Sequence, residues 1–172
     1  MASTKNYLKR NLSKVREDDK ISAERRSAVM SKIHSSGTKL ELSVKERLQL
    51  SQTPPFLCNE KTIRGKPDFV FMDTRVCIFI DSDFWHGWQY PRWKGLLKNQ
   101  FWKDKIENNR KRDRRITCYL KRHGWVVVRI WEHQLNADFE RQIKKILDTL
   151  DKANSKNIDS SSHKQEIITQ ST

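Results

Sequence analysis

The segment Trp125-Val126-Val127-Val128-Arg129-Ile130-Trp131 constrains this chain more than any other. It is too rich in β-branched and apolar side chains for anything but a buried strand. Directly before it, between Asn99 and His123, Trp102, Ile106, Asn109, Asp113, Ile116 and Leu120 recur in alternating steps of four and three. Such spacing puts them in one stripe of a long helix facing the core, with Gly124 placed to cap its end. A second apolar run, Val76-Cys77-Ile78-Phe79-Ile80, precedes the helix. Strand, helix and strand in that order predict a crossover joining two parallel strands.

The rest of the chain fits around this unit. Ser22 caps a short helix through Ile33, which Ser36-Gly37 breaks. Thr38 starts a second helix: Glu41 completes a capping-box pattern, and Leu40, Val44 and Leu48 lie four apart on one face. Thr53-Pro54-Pro55 stops it. Short runs at Phe56–Ile63, Asp68–Met72 and Arg75–Asp81, separated by Arg64-Gly65-Lys66 and Asp73-Thr74, predict a β-meander. The last helix runs from about Ala137 to Leu150 with Phe139, Ile143, Ile146 and Leu150 inward. The predicted fold is α/β, a single compact domain with a central mixed sheet flanked by helices. A chain of 172 residues holds one such core. We place it at residues 21–151, between a flexible basic arm at 1–20 and a polar, disordered tail at 152–172 that has little to bury.

Formal charge is +14, a field that attracts polyanions, although a basic surface also serves solubility alone. No stretch reaches the roughly 18 apolar residues a membrane helix needs, and MASTKNYLKR has no apolar run after its basic residues. These features predict a cytoplasmic monomer with no membrane partner. Cys58, Cys77 and Cys118 form no CxxC pair and are expected to be reduced and buried.

Chemistry concentrates at the strand ends. In Gly65-Lys66-Pro67-Asp68-Phe69-Val70-Phe71 a carboxylate opens an apolar strand, which is costly unless a cation compensates it, although Asp after Pro is also an ordinary turn residue. The neighbouring strand ends in Asp81-Ser82-Asp83-Phe84-Trp85-His86. Asp68 and Asp81 thus reach the same part of the sheet, an oxygen-rich setting suited to Mg²⁺ and to phosphodiester hydrolysis. His86 is positioned to act as general base, or else is a partly buried loop histidine. Asn109 and Asp113 interrupt the apolar stripe of the long helix, where unsatisfied polar groups would each cost on the order of 1–3 kcal/mol. From Lys98 to Arg122 the same helix carries ten Lys or Arg against three acidic residues, an outward face for phosphates. Phe84, Trp85, Trp88, Tyr90, Trp93, Phe101 and Trp102 crowd the adjoining loop, either as core packing or as wedges between base pairs.

Taken together, Met30 through Glu41, Gly65-Lys66-Pro67-Asp68-Phe69, Phe84-Trp85-His86, Phe101-Trp102 with Lys105, Ile106 and Asn109, Arg112-Asp113-Arg114-Arg115, Gly124-Trp125 and Trp131-Glu132 resemble very-short-patch-repair endonucleases in order and spacing. The resemblance covers about residues 22–150. It implies a restriction-endonuclease-like fold and a Mg²⁺-dependent nick 5′ of the thymine in a T:G mismatch, leaving a 5′-phosphate. It also implies double-stranded DNA as partner and a functional association with a DNA cytosine methyltransferase. By the same resemblance Asp68 is the metal-binding aspartate, His86 the general base, Asp113 a supporting carboxylate and Glu41 an acid near the metal's water shell, though capping alone explains Glu41. Phe84, Trp85 and Trp102 match intercalating aromatics. Lys105 and Asn109 match side chains that read the wobble pair, Met30 matches a minor-groove probe, and Arg112 belongs to the same DNA-binding set.

Two departures follow. At the positions of the family's structural zinc stand Asp83, Trp88, Tyr90 and His133, which make no tetrahedral Cys/His site, so no structural zinc is expected and packing of Trp88 and Tyr90 holds the loop instead. Asp81 replaces a histidine, which suggests that it touches the metal directly. Two rival functions remain: a restriction or nicking endonuclease acting on perfectly paired DNA, and a DNA-binding module without catalysis.

Overall fold

The structure, a computed structural model, describes residues 38–97 and 99–169, with side chains as far as residue 155. The expected Ser22–Ile33 helix, the arm at 1–20 and Met30 lie outside the described residues. Thr38 opens helix α1 (Lys39–Leu50): its Oγ1 accepts the Glu41 N–H at 3.3 Å and donates to Glu41 Oε1 at 2.9 Å. With its first turn satisfied in this way, α1 buries Val44 and Leu48 completely.

The meander follows as β1 (Leu57–Cys58), β2 (Phe69–Phe71) and β3 (Val76–Asp81), antiparallel in succession. β1 is far shorter than the predicted Phe56–Ile63, because Asn59 adopts a left-handed φ of 52° directly after Cys58 and turns the chain out of the sheet. Next come a one-turn helix α2 (Tyr90–Trp93), a 3₁₀ turn (Lys94–Leu96), the long helix α3 (Gln100–Arg122) and β4 (Val126–Trp131). Helices α4 (Glu132–Ala137) and α5 (Phe139–Thr169) close the chain. β3 and β4 pair in parallel from Val76↔Val126 to Asp81↔Trp131 with α3 as their crossover, and the sheet order is β1-β2-β3-β4. The fold is the predicted α/β arrangement of a mixed sheet flanked by helices.

Alternation along the strands sorts the core into two layers. Phe69, Phe71, Val76, Ile78, Val128 and Ile130 pack with Val44 and Leu48 of α1 and with Ile143, Ile146 and Leu150 of α5. On the opposite face Val70, Cys77 and Phe79 pack with Leu120 of α3. By the same alternation Asp81 and Arg129 share the α3 face. A third cluster, formed by Phe84, Tyr90, Trp93, Leu97, Trp102 and Ile106, seals the loop after β3 against the start of α3.

Two expectations need correction. α5 does not end near Leu150: Ala153, only 7 % exposed, adds a turn to the core, and the helix continues to Thr169 through residues expected to be disordered. That stretch contains no Gly or Pro to interrupt it. Of the three cysteines only Cys77 is buried; Cys58 lies on the exposed two-residue strand β1 and Cys118 on the solvent side of α3. No helix among the described residues is long and apolar enough to cross a membrane.

Candidate active site

Where β3 ends at Asp81, the chain folds back on itself in a tight loop. His86 N–H donates to the Ser82 carbonyl at 3.0 Å, and Trp88 N–H to that of Asp83 at 2.8 Å. The loop lies hard against α3, and Gly87 permits this: its φ is +70°, and a Cβ there would meet Ile106 Cγ2 at 2.9 Å and Arg110 Cδ at 2.7 Å. One turn apart on α3, Asn109 and Asp113 each take one loop residue. Asn109 Nδ2 donates to the Trp85 carbonyl at 3.0 Å, and Asp113 Oδ2 lies 2.7 Å from His86 Nδ1. The polar breaks in the apolar stripe are therefore the points that hold the loop.

Burial acts to raise the Asp113 carboxyl, but the hydrogen bond and charge of His86, with Arg129 and Arg112 nearby, outweigh it and hold the group below the usual carboxylate range. An ionised carboxylate only accepts, so His86 Nδ1 carries the proton. In the neutral ring the lone pair is then on Nε2, and the His86 side chain keeps 23 % of its surface exposed.

Asp81 is engaged differently from the expectation. It is 1 % exposed, and Arg129 grips both of its oxygens, Nε and Nη2 each at 2.6 Å. This bidentate pair occupies the carboxylate that was expected to contact metal. Arg129 also donates to Thr117 Oγ1 at 3.3 Å and approaches Asp113 at 3.7 Å, while His86 Nδ1 lies 3.4 Å from Asp81. Burial works against the charge on Arg129, yet Asp81, Asp113 and Asp68 together raise its proton affinity above that of free arginine. Sequence reasoning passed over Arg129; the available signal was a lone cation inside an otherwise apolar strand.

Asp68 accepts the Ile80 N–H at 2.6 Å and joins none of the ion pairs formed by the described residues around it. Burial, with the charges of Glu41 and Asp81 adding to it, pushes its carboxyl up to about 7. Glu41, 9 % exposed, thus combines its capping contact with a place beside Asp68. No group of three or more His, Cys, Asp or Glu among the described residues is gathered to hold a metal ion. Two neighbouring carboxylates still suit Mg²⁺, which takes oxygen ligands and commonly completes its shell with water and substrate phosphates.

The other expected site residues are placed as follows. Asp83, 4 % exposed, lies 2.6 Å from His133 Nδ1; burial raises its carboxyl, opposed by that hydrogen bond. Trp88 packs against His133 at 4.6 Å between ring centroids, its carbonyl accepts the Trp93 indole N–H at 2.7 Å, and Tyr90 meets Trp93 edge-on at 5.0 Å. Phe84 and Trp102 are 4 % and 2 % exposed, packed inside the third cluster rather than displayed, whereas Phe101 is 46 % exposed and Trp85 partly so. The Trp102 indole N–H has no hydrogen-bond partner among the described residues. Lys105 is exposed, and Arg112, also exposed, touches Asp113 at 3.3 Å.

Comparison with known proteins gives a consistent result. The family model described as DNA mismatch endonuclease Vsr matches residues 18–92. The chain is 36% identical over 119 residues to Type II nicking enzyme V.NmeDIP of Neisseria meningitidis serogroup C, covering 68% of this chain and 80% of that protein. It is 34% identical over 137 residues to Type II nicking enzyme V.XorIIP of Xanthomonas oryzae pv. oryzae, covering 76% and 97%. DNA mismatch endonuclease Vsr of Escherichia coli (strain K12) is 36% identical over 78 residues, covering 45% of this chain and 50% of that protein.

Proposed function

The chain belongs to the Vsr family of DNA endonucleases, and on that premise we propose that it nicks duplex DNA 5′ of the thymine in a T:G mismatch, using Mg²⁺. Such mismatches arise when 5-methylcytosine deaminates, so the enzyme would act alongside a DNA cytosine methyltransferase. One observation carries the hydrolytic part of this reading: the Asp113–His86 pair holds its free Nε2 at the end of the sheet where Asp68 also sits.

In the proposed reaction His86 Nε2 takes a proton from the attacking water while Asp113 stabilises the imidazolium through Nδ1–H. Arg129 keeps Asp81 occupied, so that His86 Nδ1 stays with Asp113 at 2.7 Å rather than Asp81 at 3.4 Å. A magnesium ion held by Asp68 and Glu41 would supply positive charge against the developing charge on the phosphate. The outward cations of α3, Lys105 and Arg112 among them, would hold the backbone, and the part-exposed ring of Trp85 would meet the base pairs.

A second reading keeps the chemistry and changes the substrate. Relatives such as V.NmeDIP and V.XorIIP are named Type II nicking enzymes, which favours cleavage of a defined sequence in paired DNA. A library of duplexes, each sequence made once with a T:G pair and once fully paired, separates the two when digested with and without Mg²⁺ and the nicked strands are sequenced. Nicks confined to T:G duplexes support the mismatch reading, whereas equal nicking of paired duplexes replaces it with the second.

A further inference from the structure

A recess of about 690 Å³ opens at the His86–Asp113 pair, both of which line it, and extends toward the C-terminal half of α3, beyond the residues that the proposed reaction uses. It continues along α3 past Arg114 to Lys121, about 12 Å of helix beyond Asp113. Trp88 and Trp131, with ring centroids 5.0 Å apart, line its other side. Both rings are only partly buried, and neither belongs to a core cluster.

The charge of the lining is unbalanced. Its two carboxylates, Asp81 and Asp113, are already matched by Arg129 and His86. Arg110, Arg114 and Lys121, however, enter no ion pair among the described residues: Arg114 reaches only the Arg110 carbonyl, and Arg110 lies over the Tyr90 ring. Three cations outside any ion pair of the described residues thus line one recess with two part-exposed indoles. Flat aromatic faces beside cations are what a base and its phosphate require, and the volume is that of a small-molecule site.

We propose that this recess takes one unstacked nucleotide of the bound DNA strand, its base against Trp88 and Trp131 and its phosphate on Arg114 and Lys121. His86 lines the same recess, so the nucleotide would lie next to the scissile phosphate. The inference rests on the reading of the chain as a DNA endonuclease but not on mismatch specificity.

Two arms test it on the full chain. In the first, dTMP, thymidine and inorganic phosphate are titrated separately against tryptophan fluorescence. dTMP is expected to quench saturably and more tightly than thymidine or phosphate, and the Arg114→Gln/Lys121→Gln variant to bind it about tenfold more weakly. In the second arm, Kd is measured without Mg²⁺ on duplexes carrying an abasic site at successive positions around the mapped nick. Trp88→Leu is expected to weaken binding of the intact duplex about tenfold, with that loss vanishing for one abasic position. A Trp88→Leu penalty unchanged at every position, with dTMP bound, would assign the recess to free nucleotides and overturn the proposal. No saturable dTMP quenching, or equal quenching in the α3 double variant, overturns it outright. Nicking of paired rather than mismatched DNA leaves both readouts intact, so failure of the mismatch reading is told apart from failure of this one.

Discussion

Replacing Asp68 by Asn tests the central electrostatic feature, a largely buried carboxylate in no ion pair among the described residues. Its folded-state pKa stands at about 7 against an ordinary 3.8, raised first by burial and then by Glu41 and Asp81. Below pH 4 the folded and unfolded chains both hold this proton, and the carboxyl costs nothing. As pH rises from 4 to 7 the unfolded chain releases the proton while the folded chain keeps it, so stability falls; above 7 the loss is complete. At 1.36 kcal/mol per tenfold change in proton affinity, the loss is about 4 kcal/mol. Asn preserves shape, and its carbonyl still accepts the Ile80 N–H. In urea denaturation without divalent ions, Asp68→Asn is therefore expected to exceed the parent chain in stability at pH 8 by up to that amount, and to match it at pH 4. Added Mg²⁺ is expected to stabilise the parent chain and leave the variant unchanged, since on the proposed reading only the parent would bind the ion in its folded state. Cleavage is expected to be lost and DNA binding retained. Equal stability of the two chains across pH 4–8, or equal stabilisation by Mg²⁺, would refute the reasoning.

Two further substitutions bear on the same centre. Asp113→Asn replaces an obligate acceptor beside His86 with a side chain that also donates, favouring the wrong tautomer; the single-turnover nicking rate is expected to fall on the order of 10³- to 10⁴-fold with affinity for DNA little changed. Arg129→Met leaves the buried Asp81 unpaired and is expected to cost roughly 3–5 kcal/mol in urea denaturation, most of it recovered when Asp81→Asn is added.

The crossover was legible because its two strands are apolar runs, interrupted in β4 by Arg129 alone, and its helix shows a regular stripe, signals that depend only on neighbours in sequence. The hold on His86 was half legible. Asn109 and Asp113 stood out as polar residues on a buried face, but which loop groups they would receive depends on how closely the loop approaches α3, and so on Gly87. The aromatic loop was not legible residue by residue. Phe84 and Phe101 read alike in sequence, yet one is 4 % and the other 46 % exposed, because α2 and the start of α3 close over Phe84. Arg129 escaped notice for a related reason: a cation in a strand gains meaning only once the pairing brings Asp81 to the same face.

The same pairing explains why Asp68 is the group left over. Asp68, Asp81 and Asp113 share one end of the sheet, each at least partly withdrawn from water. The parallel register places Arg129 two residues back from the partner of Asp81 and on its face, close enough to bridge Asp81 and reach toward Asp113. His86 completes the match for Asp113. Among the described residues no element pairs a third cation with it: β2 is antiparallel and apolar, and the ion pairs leave Asp68 out. An inward lysine there would pair with it and remove its capacity to recruit an ion. With a formal net charge of +14 on the chain, shortage of basic residues does not account for the gap. On the function proposed above, the unpaired carboxylate is a site to be completed from outside, by an ion that would arrive with the phosphate it must neutralise.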